Sequence, residues 1–235
     1  MGQLPLALAL VAHARFETFV PGKKNAAALR HVSDVAAGVA ETVWLWGGAG
    51  CGKTHLLQAA CRAADLAGKR AMYVALDPKS GLTPEILGGL DAMDLLALDD
   101  IGRVAGDAGW ERQLFGVLNA FLGRHGGLLL AARTPPAATG LTMPDLASRA
   151  AGAVIYRLES LDDDDLAAAL IAQAQARGLE LDRPAAEYLL HRVARDMTVL
   201  GDWLERLDRA SLVAQRKLTI PFIRELLTTR AAGDE

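Results

Sequence analysis

Residues 42–54, TVWLWGGAGCGKT, constrain the fold more than any other part of the chain. Five β-favouring apolar residues run into a glycine-rich turn, and a helical pattern follows over about residues 53–66. Strand, turn and helix in that order satisfy G-x-x-x-x-G-K-[ST] in the context the motif requires. The glycines let successive backbone N–H groups face phosphate oxygens, and the helix start adds a partial positive charge. Gly47, Gly50, Cys51 and Gly52 supply that backbone. In such a loop Lys53 reaches the β- and γ-phosphates and the Thr54 hydroxyl holds Mg²⁺. Cys51 fills a variable position and reads as a small filler with no redox role; Cys61, on the following helix, reads as core.

The rest of the chain extends this pattern. RAMYVAL at 70–76, DLLAL at 94–98, LLLAA at 128–132 and AVIYRL at 153–158 read as further strands. Between the third and fourth of the five, Trp110, Leu114, Phe115, Leu118 and Leu122 recur at helical spacing. Strands alternating with helices predict an α/β fold, a parallel sheet sandwiched by helices. After Leu161 only helical patterns remain: one capped by Asp162 and ended by Gly178, one opening near Pro184, one over 199–215, and one opening at Thr219 and Pro221. The expected organisation is an N-terminal peptide over 1–15, a nucleotide-binding α/β domain over 16–160 and an α-helical lid over 161–235. The third strand delivers two carboxylates at its end: Asp99 is the candidate for the magnesium shell, and Asp100 for orienting or activating an attacking water.

Composition narrows the class. Of 235 residues, 51% are hydrophobic and 23% charged, as in a packed globule, and no apolar run approaches the ~20 residues that cross a bilayer. The net charge of −3 offers no basic footprint, so no direct sequence-specific DNA binding is expected. Two cysteines give no disulfide framework and suit a reducing cytoplasm.

GGAGCGKTHL at 47–56, DLLALDDI at 94–101 and FVPGKKN at 19–25 together resemble the AAA+ ATPase domain of the bacterial replication initiator DnaA. The resemblance covers about residues 16–227. It implies that Phe19 and Val20 touch the base of bound ADP or ATP, with His55 beside the phosphate loop. DnaA itself continues into a helix-turn-helix module, for which this sequence has no counterpart. MPDLASR at 143–149, LDRASLVAQRKLTIPFIRELL at 207–227 and QLPLAL at 3–8 are more specifically similar to the regulatory inactivators of DnaA. That family implies a nucleotide-loaded regulator that docks on the DNA sliding clamp and promotes hydrolysis of DnaA-bound ATP. The implied clamp contacts are Gln3, Leu4, Leu6 and Leu8; the implied arginine finger is Arg149, whose bland alternative is a local pair with Asp145. Homo-oligomers are possible in such a family.

The sequence departs from that family at two sensor positions. Arg133 stands at the end of the fourth strand where Asp or Asn is usual, and Thr198 stands where the lid carries an arginine; Arg195, one turn earlier, is the possible substitute. Both changes point to slow self-hydrolysis and to ADP as a resting nucleotide. The intact Lys53, Thr54, Asp99 and Asp100 keep two alternatives open: a self-hydrolysing ATPase of helicase-loader or remodelling type, and a nucleotide-binding adaptor.

The apolar start could also be read as a secretion signal, but no Lys or Arg precedes Leu4, and Pro5 falls where a signal helix would form. An extended peptide with leucines at alternate positions can instead fill an apolar groove while Gln3 bonds at its rim. Burying one leucine contributes about 1.5–3 kcal/mol, so replacing Leu4 and Leu6 by Ala is expected to weaken clamp binding by about two orders of magnitude. Equal retention of wild type and double mutant on immobilised clamp would return this stretch to the status of a tail.

Overall fold

The computed structural model describes residues 14–123 and 126–231. Strands β1 (Thr42–Trp46), β2 (Ala71–Ala75), β3 (Leu95–Asp99), β4 (Gly127–Ala132) and β5 (Val154–Arg157) form one parallel sheet in the order β2-β3-β4-β1-β5. Every residue of β3 and β4 is buried. A parallel sheet covered on both faces needs such continuously apolar strands, which is why LLALD and GLLLAA show no polar alternation.

The two faces are separate cores. Helices α1 (Ala26–Ala37) and α2 (Lys53–Leu66) cover the face of Val43, Leu45, Leu95, Ala97, Leu129 and Ala131. Helices α3 (Ala108–Phe121) and α4 (Pro144–Ala151) cover the face of Trp44, Leu96, Leu98, Leu128, Leu130 and Ala132. Thus alternation along each strand assigns its residues to one layer or the other. The third core belongs to the lid: α5 (Asp163–Ala176), α6 (Arg183–Leu190), α7 (Met197–Ala214) and α8 (Ile220–Ala231) pack around Leu170, Leu189, Leu200, Trp203, Leu204 and Ile223. Asp162 caps α5 by accepting from Asp165 N at 2.9 Å, and Asp182 caps α6 by accepting from Ala185 N at 2.8 Å.

The observed strands keep the expected centres and differ only at their ends. Helix α1 has no counterpart among the sequence expectations. Its preceding residue, Asn25, is 2% exposed, and instead of capping the helix it exchanges two 2.9 Å hydrogen bonds with the backbone of Glu159. That side chain ties the segment before α1 to the segment leaving β5.

Glu111, on the first turn of α3, is 1% exposed. Its carboxylate accepts from Gly106 N at 2.7 Å, Thr142 N at 2.9 Å, Thr142 Oγ1 at 2.9 Å and Met143 N at 2.7 Å. Burial alone would raise its pKa, but these hydrogen bonds together hold it below the ordinary value. The group fixes the loop after β3 to the segment that opens α4. Glu111→Ala would strand several inward-facing N–H groups and is expected to cost about 2–4 kcal/mol in urea unfolding. A loss under about 0.5 kcal/mol would show that the loop satisfies itself without this carboxylate.

Candidate functional site

The phosphate-loop residues lie where the carboxyl end of β1 turns into α2. Gly50 and Gly52 have φ of +68° and +97°, a left-handed backbone that favours residues without a Cβ. A Cβ on Gly52 would lie 2.6 Å from the Phe19 ring, so the ring seals against the loop backbone. Lys53 is 8% exposed, and its ammonium lies over the loop, donating to the Gly47 carbonyl at 2.9 Å and the Gly48 carbonyl at 2.7 Å. Cys51 is buried, with its sulfur 3.5 Å from that ammonium. Burial pushes the Cys61 thiol up to about 12, in keeping with its place in the core.

Behind the loop, Thr54 Oγ1 donates to Asp99 Oδ2 at 2.6 Å. Tyr73 Oη donates to the same oxygen at 3.1 Å, and Asp100 N donates to Asp99 Oδ1 at 2.9 Å. Asp99 is 3% exposed; burial raises its pKa, the charge of Asp100 adds to this, and the hydrogen bonds oppose it. Asp100 itself adopts a left-handed backbone, φ +58°, and pairs with Arg103 at 3.3 Å; Arg103 also reaches Asp77 at 2.8 Å. The two carboxylates therefore differ: one is buried on the loop hydroxyl, the other turned toward a surface arginine.

The donor set suits a hydrated magnesium ion. Thr54 and Asp99 offer a hydroxyl and a carboxylate oxygen side by side, and a hard cation takes such ligands together with phosphate oxygens and water. No cluster of three or more His, Cys, Asp or Glu able to hold a metal occurs among the described residues, so phosphate and water would complete the shell.

Phe19, Val20, Cys51, His55, Leu161 and Met197 line a small cavity of about 40 Å³ beside the loop. His55 Nε2 donates to the Arg15 carbonyl at 2.8 Å, and its ring stands 5.6 Å from that of Phe19. Burial, and to a lesser extent the charge of Arg177, hold His55 below its ordinary pKa against that backbone hydrogen bond. The walls are mostly apolar, with Thr18, Gln173 and the His55 imidazole among them, a setting that suits the edge of a flat heterocycle. It opens beside a larger cleft of about 340 Å³ between the start of α2 and the lid, lined by Gly50, Lys53, Thr54, Gln173, Arg177 and Asp202 among others.

The remaining expected residues lie elsewhere. Arg133 follows β4 directly, one step past the Trp46–Ala132 pair, and is exposed. Arg195 pairs with Asp163 at 3.1 Å, both largely exposed, and does not line either cavity. Arg149, in the last turn of α4, is exposed, and its guanidinium has no ion pair or hydrogen bond among the described residues; the pair with Asp145 is not formed. It borders a groove of about 230 Å³ with Thr42, Leu118 and Leu122, at the opposite end of β1 from the phosphate loop. Gln3, Leu4, Leu6 and Leu8 lie outside the described residues, as does the side chain of Thr198. Two residues of this region escaped sequence reading: Tyr73, mid-strand in an apolar run, and Arg177, which reads as an ordinary helix end.

Asp99→Asn checks the assignment. With its folded-state pKa raised, ionised Asp99 opposes folding above that pKa, so the neutral amide is expected to match or exceed wild-type thermal stability at neutral pH. It is also expected to abolish the Mg²⁺ dependence of nucleotide affinity. A variant whose ADP affinity still responds to Mg²⁺ and EDTA as wild type does would sink the metal role.

Comparison with known proteins agrees with this geometry. Residues 10–78 match the model of the bacterial DnaA ATPase domain, and residues 162–227 match the model of the Hda lid domain. Domain III of the Thermotoga maritima replication initiation protein DnaA superposes with a TM-score of 0.78 at 21% identity, covering 94% of this chain and 98% of that one. AMPPCP-bound DnaA from Aquifex aeolicus gives 0.69 at 24% identity, and the chain spans 66% of its length. The Thermotoga maritima RuvB branch-migration motor gives 0.60 at 17% identity, over 85% of this chain and 67% of that one. At these identities the structural likeness is one of fold. No helix among the described residues is long and apolar enough to cross a membrane. The first part of the α/β body, residues 10–78, matches the DnaA ATPase model and the lid matches the Hda lid model, which makes the chain DnaA-like with an Hda-type lid.

Proposed function

We propose that this chain is a cytoplasmic regulator of replication initiation, loaded with ADP and Mg²⁺, which docks on the sliding clamp and triggers hydrolysis of ATP bound to DnaA. The observation that carries this reading is the position of Arg149. A strand rises about 3.3 Å per residue, so β1 separates Arg149 from the chain's own phosphate loop by about 15 Å. A guanidinium at that distance, free of described partners, acts on a nucleotide held by a neighbouring molecule. There it stabilises the charge developing on the γ-phosphate oxygens, a task for which its planar fork suits it better than lysine. The Hda-type lid supports DnaA as that neighbour, and the nucleotide-bound DnaA structures support an adenine nucleotide as ligand.

ADP is favoured over ATP by the charge on the lid side of the cleft. A Cβ on Gly50 would lie 2.7 Å from the Asp196 carboxylate, and Asp202 and Glu205 line the same cleft. Each added phosphate charge meets these carboxylates. Under the competing reading, a self-hydrolysing motor, the intact Lys53, Thr54, Asp99 and Asp100 would drive rapid turnover in the isolated protein.

Arg149→Ala is expected to keep its fold, its nucleotide and its clamp affinity while losing stimulation of DnaA-bound ATP hydrolysis in the presence of clamp-loaded DNA. An arginine finger contributes roughly 10³–10⁵ in rate, so the loss should approach the unstimulated level, with Arg149→Lys rescuing poorly. Stimulation by Arg149→Ala equal to wild type would place the finger elsewhere or end the regulator reading.

A further inference from the structure

We propose that Arg177, at the end of α5, is the lid cation that binds the phosphates of the nucleotide. This rests on the phosphate-loop reading of the cleft and adds to it a residue from the opposite wall.

The cleft of about 340 Å³ has two walls of different charge. The body contributes Gly50, Gly52, Lys53 and Thr54; the lid contributes Gln173, Arg177, Asp202 and Glu205. Arg177 is therefore the arginine that the lid turns toward the phosphate loop, whereas Arg195 is occupied by Asp163 outside the cleft. The guanidinium of Arg177 makes one hydrogen bond among the described residues, from Nη1 to the Gln173 carbonyl at 2.9 Å. Among the described residues no carboxylate lies within 4 Å of it; Asp208 and Glu205 act on it from further away. Burial works against its charge, lowering its pKa from the usual guanidinium value. A guanidinium has five N–H donors in a planar fork, so most remain available, and phosphate oxygens accept that fork in pairs.

A plainer account exists. Arg177 is the C-cap residue of α5, and a cation bonded to a last-turn carbonyl is ordinary helix-end chemistry. That role uses one N–H and any positive charge. It does not need the fork, and it does not depend on whether the ligand carries phosphates. The two accounts separate on those points.

The experiment measures binding of MgADP and of adenosine, by calorimetry and by displacement of a fluorescent nucleotide, to wild type, Arg177→Gln and Arg177→Lys. Melting temperatures are recorded alongside. Phosphate contact predicts that Arg177→Gln loses tenfold or more in MgADP affinity with adenosine affinity unchanged, and that Arg177→Lys recovers less than half of the loss. Unchanged MgADP affinity, or equal fold losses for MgADP and adenosine, would overturn the proposal and leave Arg177 as a helix cap. Lys53→Ala serves as the separate control: if it binds MgADP as wild type does, the phosphate-loop reading fails irrespective of Arg177.

Discussion

The hydrogen bond from Thr54 to Asp99 joins the first turn of α2 to the end of β3, two elements that the chain places 45 residues apart. Around it the sheet converges: Tyr73 on β2 reaches the same carboxylate, β1 delivers the loop, and β4 ends alongside. A buried carboxylate is unfavourable unless donors surround it, and here hydroxyl, phenol and backbone amide all do so. The site is thus assembled from groups that the fold must bring together anyway to satisfy Asp99. A magnesium ion would fit the same arrangement, held by the Asp99 carboxylate and the oxygen of the Thr54 hydroxyl.

Much of this was legible in the sequence, and the reasons are local. Thr42–Trp46 and Lys53–Leu66 match the expected strand and helix end to end, because a β-rich run, a glycine turn and a helical stripe lie within 25 residues. Three lid helices announced themselves through Asp162 and Thr219, short polar side chains just ahead of a helix, and through Pro184 in a first turn. What stayed hidden depends on distant partners. Asn25 stands at the start of α1 as a cap residue would, but its amide bonds residue 159 rather than its own helix, a tie that only the fold reveals. Glu111 sits in WERQLF, where any window reading assigns it to a wet helix face; only the arrival of residues 142 and 143 makes it a buried anchor. Arg195 and Arg177 are both lid arginines near helix ends, and only their neighbours separate an outward ion pair from a wall of the cleft.

The body and lid also differ in how they treat charge. The body concentrates its polar chemistry at the carboxyl ends of β1, β3 and β4, over an apolar interior that is nearly free of ionisable groups. The lid sets Asp202, Glu205 and Arg177 on the wall facing the loop and pairs other charges outside it, as in Arg183 with Asp164 and Glu187, and Lys217 with Glu180. A polyanion entering between them meets attraction from below and a mixed field from above. Its binding strength is therefore set by lid position as much as by the loop.

The strand order has a consequence for how the chain is made. β1 lies between β4 and β5, so the strand that carries the phosphate loop has no hydrogen-bonded neighbour until residues 127–132 have been synthesised. Its second edge stays open until residues 154–157 follow, and Asn25 meets its partner only with residue 159. β2 and β3 can pair first, as a two-stranded unit whose connection is local. On a ribosome that delivers the amino end first, the nucleotide cleft therefore closes late, when nearly the whole α/β body has emerged. A chain stalled before that point holds its phosphate loop on a bare apolar strand, and this is the stage at which a nascent copy most needs shielding from its neighbours.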